Sequence, residues 1–340
     1  MTVAGLQSTI APPPPVPGPR LRIADLEPLA LEATRAAALA CLPHVGRGDR
    51  KAADAAATEA MRAVLAGGPA QGVVVIGEGE KDDAPMLHNG ERLGAGGPEF
   101  DIAVDPLECT TLCAKGLPGS LATIAFAEAG TLYSPGPAFY MDKLVVPPAA
   151  RAVIDLDQAP ETNLARVAQA LGKPVADLRV VVLDKPRHER LIARIHRTGA
   201  RVSSPPDGDV AGSLEALLPD GEADLLMGVG GTPEGVMTAC AVRALGGGMQ
   251  ARLAPQSEPE AEAVARAGLE LDRVLELDDL ASGDTLFCAS GVTGGSLVGA
   301  PRRVGGSLFV ESIVIGGGAV RRIVDGRGGV ARPRGVSDER

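Results

Sequence analysis

Apolar residues recur at helical spacing from Leu26 to Leu42 (LEPLALEATRAAALACL), and the pattern breaks at GRGD, Gly46 to Asp49, so a helix is predicted over that stretch. A second, alanine-rich helix is predicted from Lys51 to Ala66. The pattern then changes to short β-branched runs, GVVVIGEGE from Gly72 to Glu80, DIAVDP from Asp101 to Pro106 and LATIAFAEAG from Leu121 to Gly130, each predicted as a strand. From about Arg151 helical and strand patterns alternate. The run comprises a helix around Thr162 to Leu171, strand RVVVLD (Arg179 to Asp184), a helix over HERLIARIHRTG and a short strand to Val202. A helix after DGDVAGS, strand ADLLMGVGG from Ala223 and a helix from about Thr232 to Leu245 complete it. Strands spaced by helices of this kind predict parallel pairing with crossover helices. The last third, TLFCASGV, GGSLFVESIVIGGG and AVRRIVDG, reads as glycine-punctuated antiparallel strands. The class is α/β with a mixed sheet.

Composition changes that picture little. Hydrophobic residues make up 45% of the 340 residues and charged residues 22%, which suits a folded core and not a disordered chain. No run of 18 apolar residues occurs, so no membrane span is expected, and the start lacks a secretion signal; APPPPVPGPR reads as a proline-rich tail. The expected organisation is a disordered tail over 1–20, an α+β half over 21–150, an α/β half over 151–325 and a loose end over 326–340. A cytoplasmic location is expected. The net charge of −10 argues against binding nucleic acid through its phosphate backbone. Five cysteines without a CxxC pair predict reduced core thiols, not a disulfide framework or a zinc cage.

The candidate chemistry lies in acids at strand ends. Glu78 and Glu80 close GEGE, Asp105 and Glu108 stand in DPLE, Glu234 follows GVGG, and Asp54 on the second helix is a further candidate. Each acid alone reads as a solvated turn residue. Their recurrence beside glycine or proline at successive strand ends is a different matter, because carboxylates a few ångströms apart cannot all ionise without a counter-charge. Hard cations such as Mg²⁺ or Mn²⁺ supply it through oxygen ligands. The strand is expected to stop at Asp105, with Pro106 forcing the turn. In GVGGTPEGV, Thr232 reads as the cap and Pro233 as the first residue of a helix whose N–H groups suit an anion; the stretch lacks the GxGxxG register of a dinucleotide loop. Lys185 and Arg187 in DKPRH suit phosphate oxygens, and Asp207 and Asp209 in PDGDV suit sugar hydroxyls. The RGD within GRGDRK reads as a plain loop.

These residues resemble the class II (GlpX-type) fructose-1,6-bisphosphatases, within the lithium-sensitive, metal-dependent sugar and inositol phosphatases. GRGDRKAAD, VVIGEGEKDDAPML, FDIAVDPLECT, YMDKL, DKPRH, PDGDVA and GVGGTPEGV carry the resemblance in order, over roughly nine-tenths of the chain. It implies a layered α-β-α-β-α sandwich with mixed sheets, Mg²⁺ or Mn²⁺ as cofactor, a sugar bisphosphate substrate and a homo-oligomer, dimer or tetramer. It implies metal ligation by Asp54, Glu78, Asp105, Glu108 and Glu234, and a catalytic set of Thr110, working with the attacking water, with Asp54 and Glu78. Substrate contacts are implied for Glu108, Cys109, Thr110, Tyr140, Lys185, Arg187, Asp207, Asp209 and Gly231. The expected reaction is hydrolysis of the 1-phosphate of fructose 1,6-bisphosphate.

The family carries glycine where this chain has Cys109, and often lysine where it has Arg50. Three readings of Cys109 stand open: it fits and activity is kept; it reshapes the pocket for another substrate or weakens turnover; or it is a redox-sensitive thiol, with Cys113 as partner if a helix aligns them. Two alternatives to the expected reaction follow. One is a phosphatase for sedoheptulose 1,7-bisphosphate, an inositol phosphate or a specialised-metabolite sugar phosphate. The other is a catalytically weak binding homologue.

Overall fold

The computed structural model describes residues 21–77 and 86–327. Glu78 and Glu80, with the rest of 78–85, lie outside the described residues, as do both tails.

Helix α1, Glu27–Cys41, buries Ala30, Ala33, Thr34, Ala37, Ala38 and Cys41, a stripe of small side chains on one face. Helix α2, Arg50–Ala66, is capped by the Asp49 carboxylate, which accepts from Ala52 N–H, and buries Ala53, Ala57, Met61 and Leu65. Strands β1 (Gln71–Ile76), β2 (Arg92–Leu93) and β3 (Glu99–Glu108) follow, then the short α3 (Thr110–Lys115), β4 (Leu121–Glu128) and β5 (Tyr140–Val146). Next come α4 (Pro160–Leu171), β6 (Arg179–Val181), α5 (Glu189–Arg197), β7 (Arg201–Ser203), α6 (Asp209–Leu217) and β8 (Leu225–Gly231). The chain continues through α7 (Thr232–Leu245), β9 (Gly248–Leu253), α8 (Glu258–Arg266), β10 (Leu275–Glu276) and α9 (Leu277–Leu280). It closes with β11 (Thr285–Gly291), β12 (Arg302–Val304), β13 (Ser307–Gly316) and β14 (Ala319–Arg327).

The described strands form two mixed sheets. The first runs β12-β13-β11-β4-β3-β1-β2, with β14 beside β13; β1 and β3 are parallel and the other pairs antiparallel. The second runs β10-β9-β5-β8-β6-β7, with parallel pairing confined to β6 with β7 and β8.

Alternate residues of the central strands enter different cores. Ile102, Val104, Ile124 and Phe126 pack with α1 and α2, whereas Ala103, Ala125, Phe287 and Ala289 pack with α6 and α7. Across that middle layer Met141 and Val145 meet the same helices, while Leu144 and Val146 face α4 and α5. Strands buried on both faces explain why the apolar runs are continuous instead of alternating. The result is a helix-sheet-helix-sheet-helix sandwich. Helix α7, buried along Gly235–Val242, lies between the sheets and aims its N-terminus at the end of β3.

Several expectations shift in detail. β3 does not end at Asp105; it continues through Pro106 to Glu108, with the register against β4 moving from Asp105↔Thr123 to Glu108↔Leu121. Proline, lacking an N–H, sits in the resulting bulge instead of making a turn. The cap of α7 is Gly231, not Thr232, which is the first helical residue. The helix predicted after DGDVAGS begins within it, at Asp209. β9 (GMQARL) and α8 (EPEAEAVAR) are absent from the sequence reading; β9 does alternate, burying Met249, Ala251 and Leu253 on one face, whereas α8 buries only Glu260 and Val264 and carries little apolar signal.

Candidate active site

The bulge in β3 is what builds the centre. Residues three apart on a regular strand point to opposite faces, yet the extra residue brings the carboxylates of Asp105 and Glu108 to one side. Local hydrogen bonds hold the bend: Leu107 N–H donates to Asp105 Oδ1 at 3.0 Å, Thr123 Oγ1 to Asp105 O at 3.1 Å and Thr110 Oγ1 to Leu107 O at 2.9 Å. Glu234, in the first turn of α7, arrives from the second sheet. Ligand oxygens of Asp105, Glu108 and Glu234 lie within 4.8 Å of one another, a group that could hold a metal ion.

The electrostatics fit a hard cation. Burial, followed by the charges of Asp105 and Glu234, holds the Glu108 carboxyl well above its usual range. Burial, then Asp209 and Asp105, push Glu234 up to about 7, against the pull of Lys143. Glu234 Oε2 is shut off from solvent and has no hydrogen-bond partner among the described residues. Three crowded carboxylates with an orphaned oxygen are what an oxygen-preferring divalent ion would satisfy. Glycine makes the approach possible: a Cβ on Gly231 would fall on Glu234 Oε2.

Around this group stand the other predicted residues. Asp209, at the start of α6, is buried and paired with the ammonium of Lys143. Lys185 Nζ stands 3.9 Å from Asp207 Oδ1. Arg187 donates through Nε and Nη2 to Val229 O, at 3.1 and 2.9 Å, and its guanidinium lies 5.2 Å from the centre of the Tyr140 ring. Buried Glu260 fixes the backbone of Tyr140 by accepting its N–H at 3.1 Å.

Asp54 is not one of the three grouped acids. It lies one turn beyond Arg50, whose Nη1 donates to Thr111 Oγ1 at 3.4 Å, so this end of α2 stands beside the start of α3. The GRGD loop clamps the same helix, with Gly46 N–H donating to Cys113 O and Gly48 N–H to Ala114 O.

Cys109 caps α3 in the left-handed conformation, φ 61° and ψ 47°. That backbone is the reason glycine suits the position. The side chain is buried, and a Cβ on Gly208 would stand 3.3 Å from its Sγ, so the thiol packs against the Asp207–Asp209 loop. Burial and the charges of Glu108, Asp207, Asp105 and Asp209 push this thiol far up, which speaks against the redox-sensitive reading wherever no metal offsets those carboxylates. Cys113 is not its partner; the Cys113 thiol turns to the core that also holds Cys41, whose Sγ donates to Ala53 O at 3.8 Å. All five cysteines are free and buried.

Two residues escaped the sequence reading. Lys143 occupies a core-facing position between Met141 and Val145, and a lysine on the buried face of an apolar strand was the available signal. Buried His188 accepts Val229 N–H at Nε2 (2.8 Å) while its Nδ1 lies 2.7 Å from Leu183 O, tying the DKPRH turn to β8. Its signal was faint, because one histidine in a basic turn reads as solvated.

A layered α/β sandwich that gathers acids from both sheets, next to a helix N-terminus and two basic side chains, has the makeup of a metal-dependent phosphate-ester hydrolase. The chain belongs to the family described as bacterial fructose-1,6-bisphosphatase, glpX-encoded, which it matches over residues 25–326. It is 46% identical over 299 residues to the "Fructose-1,6-bisphosphatase class 2" of Haemophilus influenzae, covering 84% of this chain and 90% of that protein. To the "Fructose-1,6-bisphosphatase 1 class 2" of Escherichia coli K12 it is 43% identical over 307 residues, covering 85% and 91%.

Proposed function

We propose that this protein is a metal-dependent phosphatase that hydrolyses the 1-phosphate of fructose 1,6-bisphosphate, giving fructose 6-phosphate and phosphate. The observation that carries the reading is the convergence of Asp105, Glu108 and Glu234 within 4.8 Å, in a chain whose curated relatives bear that enzyme's name.

In this reading Asp105, Glu108 and Glu234, with Glu78 and Asp54, hold Mg²⁺ or Mn²⁺. Such an ion neutralises the phosphate and makes water more acidic. Thr110 orients the attacking water: its proton is committed to Leu107 O, so its lone pairs are left to accept from water. Asp54, one turn into α2 beside the start of α3, is the acid suited to take the water's proton. Lys185 and Arg187 take the distal phosphate, Arg187 exchanging the carbonyl of Val229 for phosphate oxygens. Tyr140, Asp207, Asp209 and Gly231 shape the sugar site, beside Glu108, Cys109 and Thr110. Positioning and charge stabilisation then carry the transfer to water. The resemblance further supports a cytoplasmic homo-oligomer, dimer or tetramer, which light scattering checks.

One observation keeps a second substrate in view: the Cys109 thiol presses on the loop that carries Asp207 and Asp209. A panel of fructose 1,6-bisphosphate, sedoheptulose 1,7-bisphosphate and inositol phosphate, assayed for phosphate release with Mg²⁺ or Mn²⁺, tests the reading. Fructose 1,6-bisphosphate is expected to show the highest kcat/KM. A higher value for another ester would reassign the substrate, and binding without release of phosphate from any of them would leave a non-catalytic homologue.

A further inference from the structure

Lys143 is one of the largest fully buried side chains among the described residues, at 1% exposure, and it is charged. Its position on β5 sends it along the inter-sheet core, between Met141 and Val145, toward the end of β8. There the ammonium makes two bonds. One goes to Asp209 Oδ2; the other, at 2.9 Å, goes to the carbonyl of Gly231, which caps α7 three residues ahead of Glu234. The chain clears a path for it. A Cβ on Gly230 would fall on Asp209 Oδ2 and stand 2.9 Å from Lys143 Nζ, and one on Gly235 would stand 3.2 Å from Lys143 Cδ.

Four acids crowd this end of the molecule, because the charge of Asp209 is felt at both Glu108 and Glu234. Yet the group of ligand oxygens within 4.8 Å contains Asp105, Glu108 and Glu234 and omits Asp209. Coulomb attraction alone would draw every nearby carboxylate to a divalent ion. Something has to withhold the fourth.

We infer that Lys143 is a positioning residue that sorts these carboxylates, holding Asp209 out of the metal set and turned to the substrate while it fixes the helix start that delivers Glu234. This rests on the proposed metal-dependent reading of the site. The ammonium occupies one oxygen of Asp209 and supplies its counter-charge within a water-poor core, so that acid neither needs nor easily accepts a second cation. A carboxylate so restrained is free at its remaining oxygen to accept a sugar hydroxyl. Partners of this kind typically change metal affinity or activity by about 10- to 100-fold.

The test is Mn²⁺ titration of the metal-free full chain, followed by electron paramagnetic resonance without substrate, alongside steady-state kinetics with fructose 1,6-bisphosphate. In Lys143→Met, Asp209 loses its counter-ion and joins the metal set: Mn²⁺ binds about tenfold more tightly, and KM rises about tenfold with a smaller change in kcat. Adding Asp209→Asn to that variant returns Mn²⁺ affinity to within about threefold of the wild type. Asp209→Asn alone raises KM and leaves Mn²⁺ affinity within about threefold, and this variant decides the matter should Lys143→Met fail to fold. Unchanged or weaker Mn²⁺ binding in Lys143→Met overturns the inference, as does a loss of about tenfold or more in Asp209→Asn alone. A wild type that binds Mn²⁺ but releases no phosphate would sink the substrate reading alone, since the affinity comparisons stand without turnover.

Discussion

At the scale of single residues, Glu234 shows how cost and use coincide. Its carboxyl is pushed up to about 7 from 4.5 because it is buried beside like charges. A raised acid contributes its destabilisation only where the unfolded chain is ionised. The penalty is therefore absent below about pH 4.5, grows as pH rises and is complete above about pH 7. Without metal, Glu234→Gln is then expected to be more stable than the wild type at pH 8 by roughly 2 to 3 kcal/mol, and no more stable at pH 4.5, by urea unfolding in chelator. The same variant should lose turnover by about 100-fold or more, since it removes one of the carboxylates that would hold the ion neutralising the phosphate. Equal turnover would take Glu234 out of the site.

Cys109 is the opposite case, a residue that adds cost without an evident gain. Its left-handed backbone disfavours any side chain by about 1 to 2 kcal/mol. Replacement by glycine removes that strain but gives up a buried thiol and the conformational restraint of a side chain. These terms oppose one another, so Cys109→Gly should change stability by less than about 1 kcal/mol. What should change is the loop it presses on, read as a lower KM for fructose 1,6-bisphosphate; an unchanged KM would mean that the thiol merely fills space.

At the scale of elements, the site is made where regular structure is interrupted. The bulge at Pro106 turns two residues of β3 to one side, the GRGD loop pins α3, and His188 joins the turn after β6 to β8. His188 is buried, and desolvation, the first cause, lowers its pKa from 6.5 despite the Leu183 carbonyl. A depressed histidine gives stability that is present above pH 6.5 and lost as pH falls from there toward its folded value. The His188 contribution to stability should therefore begin to fall just below pH 6.5, read as the difference between wild type and His188→Gln, and the variant should lose about 1 to 3 kcal/mol at pH 8 through the orphaned Val229 N–H. A variant with the same acid profile as the wild type would show that other groups set it. Because Val229 O is also the resting partner of Arg187, the variant is expected to raise KM before it lowers kcat.

At the scale of the whole molecule, the chain crosses between sheets to make one site. β5, from the first part of the sequence, lies in the second sheet, and β11 to β14 return to the first. Residues from 105 to 234 thereby meet at one end of the middle helical layer. Much of this was legible beforehand. The two alanine-rich helices, the strands buried on both faces and the ordered acids at strand ends all showed in the sequence, because periodicity and strand-end chemistry are local signals. What was not legible depended on long-range placement. The bulge at Pro106 looks like a turn without its partner strand β4, and the role of Lys143 shows only once α6 and α7 cover its face of β5. Likewise, whether Cys109 would sit among cations or carboxylates depended on α6, a hundred residues away, bringing Asp207 and Asp209 to it.

The account turns on one convergence, and crystals of the full chain soaked in Mn²⁺ test it most directly. Anomalous scattering is expected to place manganese between the carboxylates of Asp105, Glu108 and Glu234, with Asp209 turned away. Manganese bound elsewhere, with those three acids pointing apart, would contradict it.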